Sequence, residues 1–514
     1  MSTTGNLRKV EHVVVLMLEN RSFDHMLGYL KIDGVKPEVD GLTAGMSNEG
    51  PDGRRHEVQP IGRRLINEKV LDPGHGGKDA RAQLAGRNAG FVKNYAAVLA
   101  KNRERYPGFD PALDFDAAQS LVMGYQQAQD VPVYDYIARN FGICERWFSS
   151  LPGPTWENRM FALTGGKGER TPLVTLAGKV PKFLEDAPIY DRKAFVRWID
   201  GDDWRWYSHD PATLRAADSR FRPGGEDNSP WDAHFAHFDR TTLAEPRNFL
   251  DDAAAGDLPA VSWIDPNFVD LRVFGPPGSN DDHPPSRVML GQELVLRILQ
   301  ALARSKLWAK SMLVVLYDEH GGFFDHCVPG DFQVPGDPQA SFGVRVPALI
   351  VSPYTAPGQV CSTVLDHTSL PKTVLTRFST TAEEAFAELG PRTAHANDLG
   401  ELLALESPRE PPPETDLAAL QAKVEDWKRL AYESRLLEPP KPAERLFDWV
   451  TDIQRDILGF ATLFRREGLR PGEALSAVRG RAGGRARPPC RAPRRRRTGR
   501  SASRSGAAAR AAPA

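Results

Sequence analysis

Cysteine is scarce in this 514-residue chain: there are four, Cys144, Cys327, Cys361 and Cys490, and no two stand at CxxC spacing. That excludes a disulfide framework and a zinc-thiolate site, so the thiols are expected to be free. The chain also lacks any apolar run near the roughly 20 residues that a membrane helix requires. MSTTGNLRKV passes straight into HVVVLML, a short strand-like run and not the apolar stretch of a signal peptide. No transmembrane segment and a cytoplasmic location are therefore expected. Basic excess is missing as well, except at the end. Residues 479–514 hold twelve arginines and no acid, which leaves 54 basic against 67 acidic residues before them, a net −13. An acidic body excludes nucleic acid as its main partner, because phosphate-backbone binding needs a basic face. The tail itself has almost no large apolar residues and is expected to be disordered, whether as an accidental end or as a basic arm.

What is present points to an α/β protein. HVVVLML, MLVVLY and VPALIVS are short, rich in Val and Ile, and not alternating, as strands buried on both faces are. LPAVSWI is a weaker fourth. Helix-period stretches at Pro132 to Phe141 and Val288 to Ser305 lie between them, which predicts a mainly parallel sheet flanked by helices. The segments Gly34 to Pro73 and Lys167 to Pro259 are rich in Gly, Pro, Asp and Arg and read as long loop insertions walling a site. After Pro371 amphipathic stretches divided by SPREPPPETD read as a C-terminal helical appendage. The organisation expected is a main domain over 1–378, the appendage over 379–478 and the tail over 479–514.

Two of the strands run into acidic pairs, Glu19 with Asn20 and Asp318 with Glu319. Ligands of open parallel sheets bind outside the carboxyl ends of the strands. Three carboxylates gathered there repel one another unless a cation lies between them. As hard oxygen donors they suit Mg, Ca or Mn, and Zn if histidine joins. A single acid at such a place is otherwise a helix cap or a surface charge. Nearby motifs supply His75 in DPGHGG, His283 in NDDHPP, and His320 and His326 in DEHGGFFDH. Thr155 follows a Gly-Pro turn at the start of a helix. There it is either an N-cap or, with a helix N-terminus and a cation beside it, a nucleophile.

The motifs ENRSFDHMLGYL, DPGHGG with GRNAGFV, the stretch ending SSLPGPTWENRMFALTG, NDDHPP, LYDEHGGFFDH, VRVPALIVSPY and DHTSLPKTVL, in this order from Val10 to Phe378, resemble the phosphoesterase family of bacterial phospholipases C and the acid phosphatase AcpA. That family is alkaline-phosphatase-like. The resemblance implies a metal-dependent phosphoric ester hydrolase of that fold, with Glu19, Asn20, Asp318 and Glu319 on a divalent metal and Thr155 carrying a covalent phosphoryl group. It also implies that His75, His283 and His320 contact the phosphoryl oxygens or protonate the leaving group, His283 foremost for the latter, with His326 and His367 less directly tied to the site. The asparagine and alanine of GRNAGFV depart from the Met and Asp common there.

A phospholipase C-type diester substrate, with its phospholipid head group, competes with the monoester of an acid phosphatase. Trp204, Trp206, Tyr207 and Trp231 are candidates for an aromatic cage around a choline head group, or for loop packing. A non-catalytic scaffold that kept the fold is the reading from another class.

Overall fold

A computed structural model of the chain describes residues 6–61, 72–105, 118–172, 187–222, 230–239, 247–269, 279–284, 288–436 and 454–460. The expected disordered tail, with Cys490, lies outside them. Eight strands form the main sheet: β1 (His12–Leu18), β2 (Gly142–Cys144), β3 (Trp204–Ser208), β4 (Phe235–His237), β5 (Val261–Ile264), β6 (Ser311–Tyr317), β7 (Ala348–Val351) and β8 (Gln359–Cys361). Their order is β4, β3, β5, β1, β6, β7, β2, β8. The four apolar runs of the sequence are the four adjacent central strands, and β1 and β6 are buried along nearly their whole length. β1 is parallel to β5 and β6, whereas β7 runs antiparallel to both β6 and β2. The sheet is thus mainly parallel with one reversed strand.

Helices flank this sheet. Pro132 opens α1 (Pro132–Asn140) at a position where its missing N–H costs nothing. α2 (Thr155–Thr164) packs on α4 (Ser369–Phe378), and α3 (Val288–Ala303) packs on α1 and on α5 (Glu414–Leu436). Leu417, Leu420 and Val424 of α5, and Ile457, Leu458 and Phe460 further on, join the same apolar core as the strands. The helical C-terminal region is therefore docked on the body.

One expectation needs correction: the insertion from Lys167 to Pro259 holds β3 and β4 of the main sheet, so it is not only wall. For the aromatic residues weighed as a head-group cage or as packing, the contacts are those of packing, with Trp204, Trp206 and Tyr207 on β3 and Trp231 in the turn before β4. Trp206 is fully buried, stacks on Trp263 at 4.7 Å and donates to Asp265 at 2.6 Å. Tyr207 donates to Asp252, and Trp204 stacks on His234 at 4.4 Å and on Trp231 at 6.3 Å. These rings fill core space around β3 and are not gathered about a head group. Cys144, Cys327 and Cys361 are buried free thiols.

Candidate active site

The register of β1 against β6 pairs Leu18 with Tyr317, so the residues that follow, Glu19 and Asp318, leave the sheet side by side. Asp318 Oδ1 accepts from the backbone N–H of Asn20 at 2.9 Å and of Glu319 at 2.7 Å, which fixes both acidic pairs to one carboxylate. Asn20 turns the chain with φ of 57°. The backbone of Gly321 then passes so close that a Cβ there would sit 2.0 Å from the Asn20 carbonyl oxygen, and one at Gly322 would sit 2.7 Å from that of Gly74. Only glycine permits both approaches, and they draw the loop of His75 towards the strand ends.

Thr155 arrives from the other side. Pro154, not Thr155, is the N-cap of α2, so the threonine hydroxyl is not spent on capping. Its Oγ1 lies 3.2 Å from Glu19 Oε2 and 3.4 Å from Asn20 Oδ1. Asn158 ties down the turn before it: its Oδ1 accepts from Leu151 N–H at 3.1 Å and its Nδ2 donates to the carbonyl of Gly153 at 3.0 Å. One helical turn past Thr155, the buried Arg159 donates from Nε to Glu19 Oε1 at 2.8 Å and from Nη2 to the Met17 carbonyl at 2.9 Å, and lies over Phe268 at 5.2 Å. Burial opposes that charge, yet the Glu19, Asp318 and Asp265 carboxylates hold the guanidinium above its ordinary pKa.

By chemistry the donor set suits a hard divalent cation, although Glu19, Asp318 and Glu319 are not among the described groups whose ligand atoms already stand at metal-ligand spacing. Asp318 Oδ2 and Glu319 Oε1 are buried and have no hydrogen-bond partner among the described residues. Burial pushes the Glu19 carboxyl well above the usual carboxylate range, against the pull of Arg159 and with the repulsion of Asp318 adding to it. Such a group is ionised more readily when a cation shares its oxygens.

The histidines divide by their partners. His283 is fully buried; its Nδ1 lies 2.7 Å from the Pro284 carbonyl and its Nε2 3.0 Å from Asn20 Nδ2. A carbonyl can only accept, so Nδ1 carries the proton and Nε2 accepts from the amide, leaving Asn20 Oδ1 turned to Thr155. Through this contact His283 orients the Asn20 amide. His75 directs Nδ1 at the Pro73 carbonyl at 2.9 Å, with Asp72 at 3.5 Å, and meets the His283 ring edge-on at 5.4 Å. His320 is engaged at both nitrogens, by Glu319 Oε2 at 3.0 Å and by Gln83 Oε1 at 2.7 Å. Gln83 also donates to the Gly74 carbonyl. His367 lies 2.6 Å from the Asp318 carbonyl and accepts from Trp147 Nε1; burial lowers its pKa to about 4, so it is a neutral support.

His326 belongs to a separate buried ion network. Its ring nitrogens meet Asp24 Oδ2 at 2.7 Å and Asp40 Oδ1 at 3.1 Å, while Arg345 reaches Asp325 at 2.9 Å and Asp24 at 3.2 Å. Asp24, Asp325 and His326 have metal-ligand spacing, but Arg345 and the imidazolium already supply the positive charge there. Against the cost of burial, Asp24 and Asp40 raise the His326 pKa to about 10, and His326 in turn lowers that of Asp40 to about 2. The signs set a pH window. The raised histidine stabilises fully below its ordinary pKa of about 6.5 and loses this between there and about 10; the depressed Asp40 stabilises fully above about 4 and loses this on the way to about 2. The urea midpoint should therefore decline above about pH 6.5, and His326→Gln should flatten that decline; an alkaline limb unchanged by the substitution would contradict the assignment. Asp72, His75 and His283 form the other group with ligand spacing, beside Asn20.

Asn158, Arg159 and Gln83 were not singled out from the sequence. The first two were within reach, since positions three and four after Thr155 share its helix face; nothing local marks Gln83. In the departed GRNAGFV motif, Asn88 donates to the carbonyls of Asp325 and Cys327 and pins the two loops together.

A model of the phosphoesterase family matches residues 10–381. The chain is 30% identical to non-specific phospholipase C6 of Arabidopsis thaliana over 72% of its own length and 68% of the relative's. It is 29% identical to phospholipase C A of Mycobacterium tuberculosis, covering 73% and 74% of the two chains. With the non-hemolytic phospholipase C of Burkholderia pseudomallei the figures are 28% identity, 73% and 56%. The family match spans most of the chain and includes the strand-end Glu19 and the helix-start Thr155 that meets it, and it places this protein in the phosphoesterase family, as a hydrolase of phosphoester bonds.

Proposed function

We propose that the chain is a metal-dependent phosphodiesterase of phospholipase C type that works through a phospho-threonine intermediate at Thr155. The observation that carries this reading is the Thr155 hydroxyl held against Glu19 and Asn20, with unpartnered oxygens of Asp318 and Glu319 beside them. Glu19, Asn20, Asp318 and Glu319 would hold the divalent ion, which when bound supplies a lowered hydroxyl pKa and neutralises phosphoryl charge.

The chain's own residues do the rest. Glu19 Oε2 is placed to accept the Thr155 proton as the oxygen attacks phosphorus in line. Arg159 fixes the other oxygen of that carboxylate, and His283 fixes the Asn20 amide. His75, its Nδ1–H held by the Pro73 carbonyl and with Asp72 at 3.5 Å to balance a charged ring, would as the imidazolium hand a proton from Nε2 to the departing alcohol. Water then releases the phosphorylated head group, a phosphomonoester, from Thr155. His320, gripped by Glu319 and Gln83, positions Glu319.

Hydrolysis of bis-p-nitrophenyl phosphate and p-nitrophenylphosphorylcholine, abolished by chelator, is the expected result; activity confined to p-nitrophenyl phosphate would favour an acid phosphatase, and none on any substrate with metal replete would favour a scaffold. Binding of the ion should also register without turnover. At a hundredfold excess over Kd a ligand adds about 2.7 kcal/mol of stability, so the melting midpoint should rise on adding the ion that restores hydrolysis. Asp318→Asn should lose most of that rise; an undiminished rise would remove Asp318 from the ligand set.

A further inference from the structure

A small cavity of about 80 Å³ adjoins Thr155, and its walls come from three separate stretches of the chain: Pro154 to Glu157 at the start of α2, Pro188 with Tyr190, and Arg455 with Asp456 from the helical segment 454–460. Arg170 completes it. The distal segment is seated here by specific contacts. Phe460 meets the Trp156 ring edge-on at 5.1 Å, and Gln454 donates to the carbonyl of Phe268, the residue beneath Arg159. Trp156 and Tyr190 face one another at 6.2 Å.

Two features decide what such a cavity accepts. Its charged residues cancel, Arg170 and Arg455 against Glu157 and Asp456, with Arg455 bonded to Asp456 at 3.0 Å. Net charge therefore gives neither a cationic nor an anionic group an advantage over a neutral one there. Meanwhile Trp156 Nε1 and Tyr190 Oη, on residues 4% and 1% exposed, are buried without a hydrogen-bond partner among the described residues. Buried donors left unpaired are costly, and a ligand that offers them acceptor oxygens relieves that cost where one without acceptors does not.

We propose that this cavity is the head-group subsite, that it selects a neutral polyol carrying hydroxyl oxygens, and that segment 454–460 serves as its outer wall. The inference rests on the phosphodiesterase reading above and adds the substrate class. Specificity would then be set partly from the far end of the chain, some 300 residues from the nucleophile by sequence.

The test compares the full chain on mixed micelles of phosphatidylglycerol and of phosphatidylethanol, which carry the same charge and differ in head-group hydroxyls, with bis-p-nitrophenyl phosphate as soluble reference. The ratio of kcat/KM should favour phosphatidylglycerol by roughly tenfold, the scale of one or two hydrogen bonds. Tyr190→Phe, which removes only the hydroxyl, should bring that ratio towards one, and Phe460→Ala, which unseats the distal wall, should do the same. If either variant fails to fold, the other decides. A wild-type ratio of one, or a ratio that both variants leave unchanged, overturns the polyol subsite. Failure to hydrolyse even bis-p-nitrophenyl phosphate overturns the phosphodiesterase reading beneath it.

Discussion

Thr155→Ala is expected to lower turnover by on the order of 10³-fold or more while the protein keeps its fold and its metal. Removing the nucleophile of a covalent hydrolase leaves only what binding and electrostatics supply. The structural cost should be small. Thr155 is not the N-cap of α2, and the loop ahead of it is held by Asn158, so loss of the hydroxyl and one methyl disturbs neither. Thr155→Ser keeps the oxygen and should retain measurable activity. If Thr155→Ala stayed within tenfold of the wild type, the hydroxyl that faces Glu19 and Asn20 would be a bystander.

Arg345→Leu should have the largest effect on stability. The guanidinium is fully buried, bonded to Asp325, Asp24 and the carbonyls of Asp40 and Glu145, and stacked over Phe23 at 4.5 Å. Burial alone would keep the Asp325 carboxyl from ionising; it is pushed up to about 6 even with Arg345 beside it. Deleting one partner of a buried ion network leaves the others uncompensated, at about 3–5 kcal/mol. Domains of this kind hold roughly 5–15 kcal/mol in all. The urea midpoint should fall by a large fraction of its value, and the loss should shrink at acid pH, where the stranded carboxyls can protonate. A midpoint within about 0.5 kcal/mol of wild type, the range of ordinary surface changes, would mean the network contributes little.

How far the sequence disclosed this arrangement follows from what each signal encodes. HVVVLML and MLVVLY are short, unbroken and β-branched, and an acid that directly follows such a run can only stand at the strand's carboxyl end. The pairing of Leu18 with Tyr317 then does the rest. β3 and β4 were hidden because WRWYS and FAH are brief and carry polar residues, and β4 lies at the sheet edge, so no periodicity distinguishes them from loop. The aromatic residues of β3 left cage and packing both open for a related reason: density along the chain does not say which layer a ring enters. His283 and His320 lie beside the site as their motifs suggested, but which ring nitrogen bears the proton depends on the Pro284 carbonyl, Asn20 and Gln83, and no sequence spacing encodes that. Arg345, between two valines, gave no sign that three acids from distant segments would close on it.

The central claim is that the Thr155 oxygen becomes covalently joined to phosphorus. Quenching the metal-replete enzyme in acid during turnover of a phosphodiester, followed by peptide mass spectrometry, reads this directly. The account predicts one adduct on the peptide that contains Thr155, a phosphoryl group still bearing the ester group that did not leave, absent from Thr155→Ala; the adduct recovered on a different residue, or product released with no adduct on any peptide at any time, would contradict it.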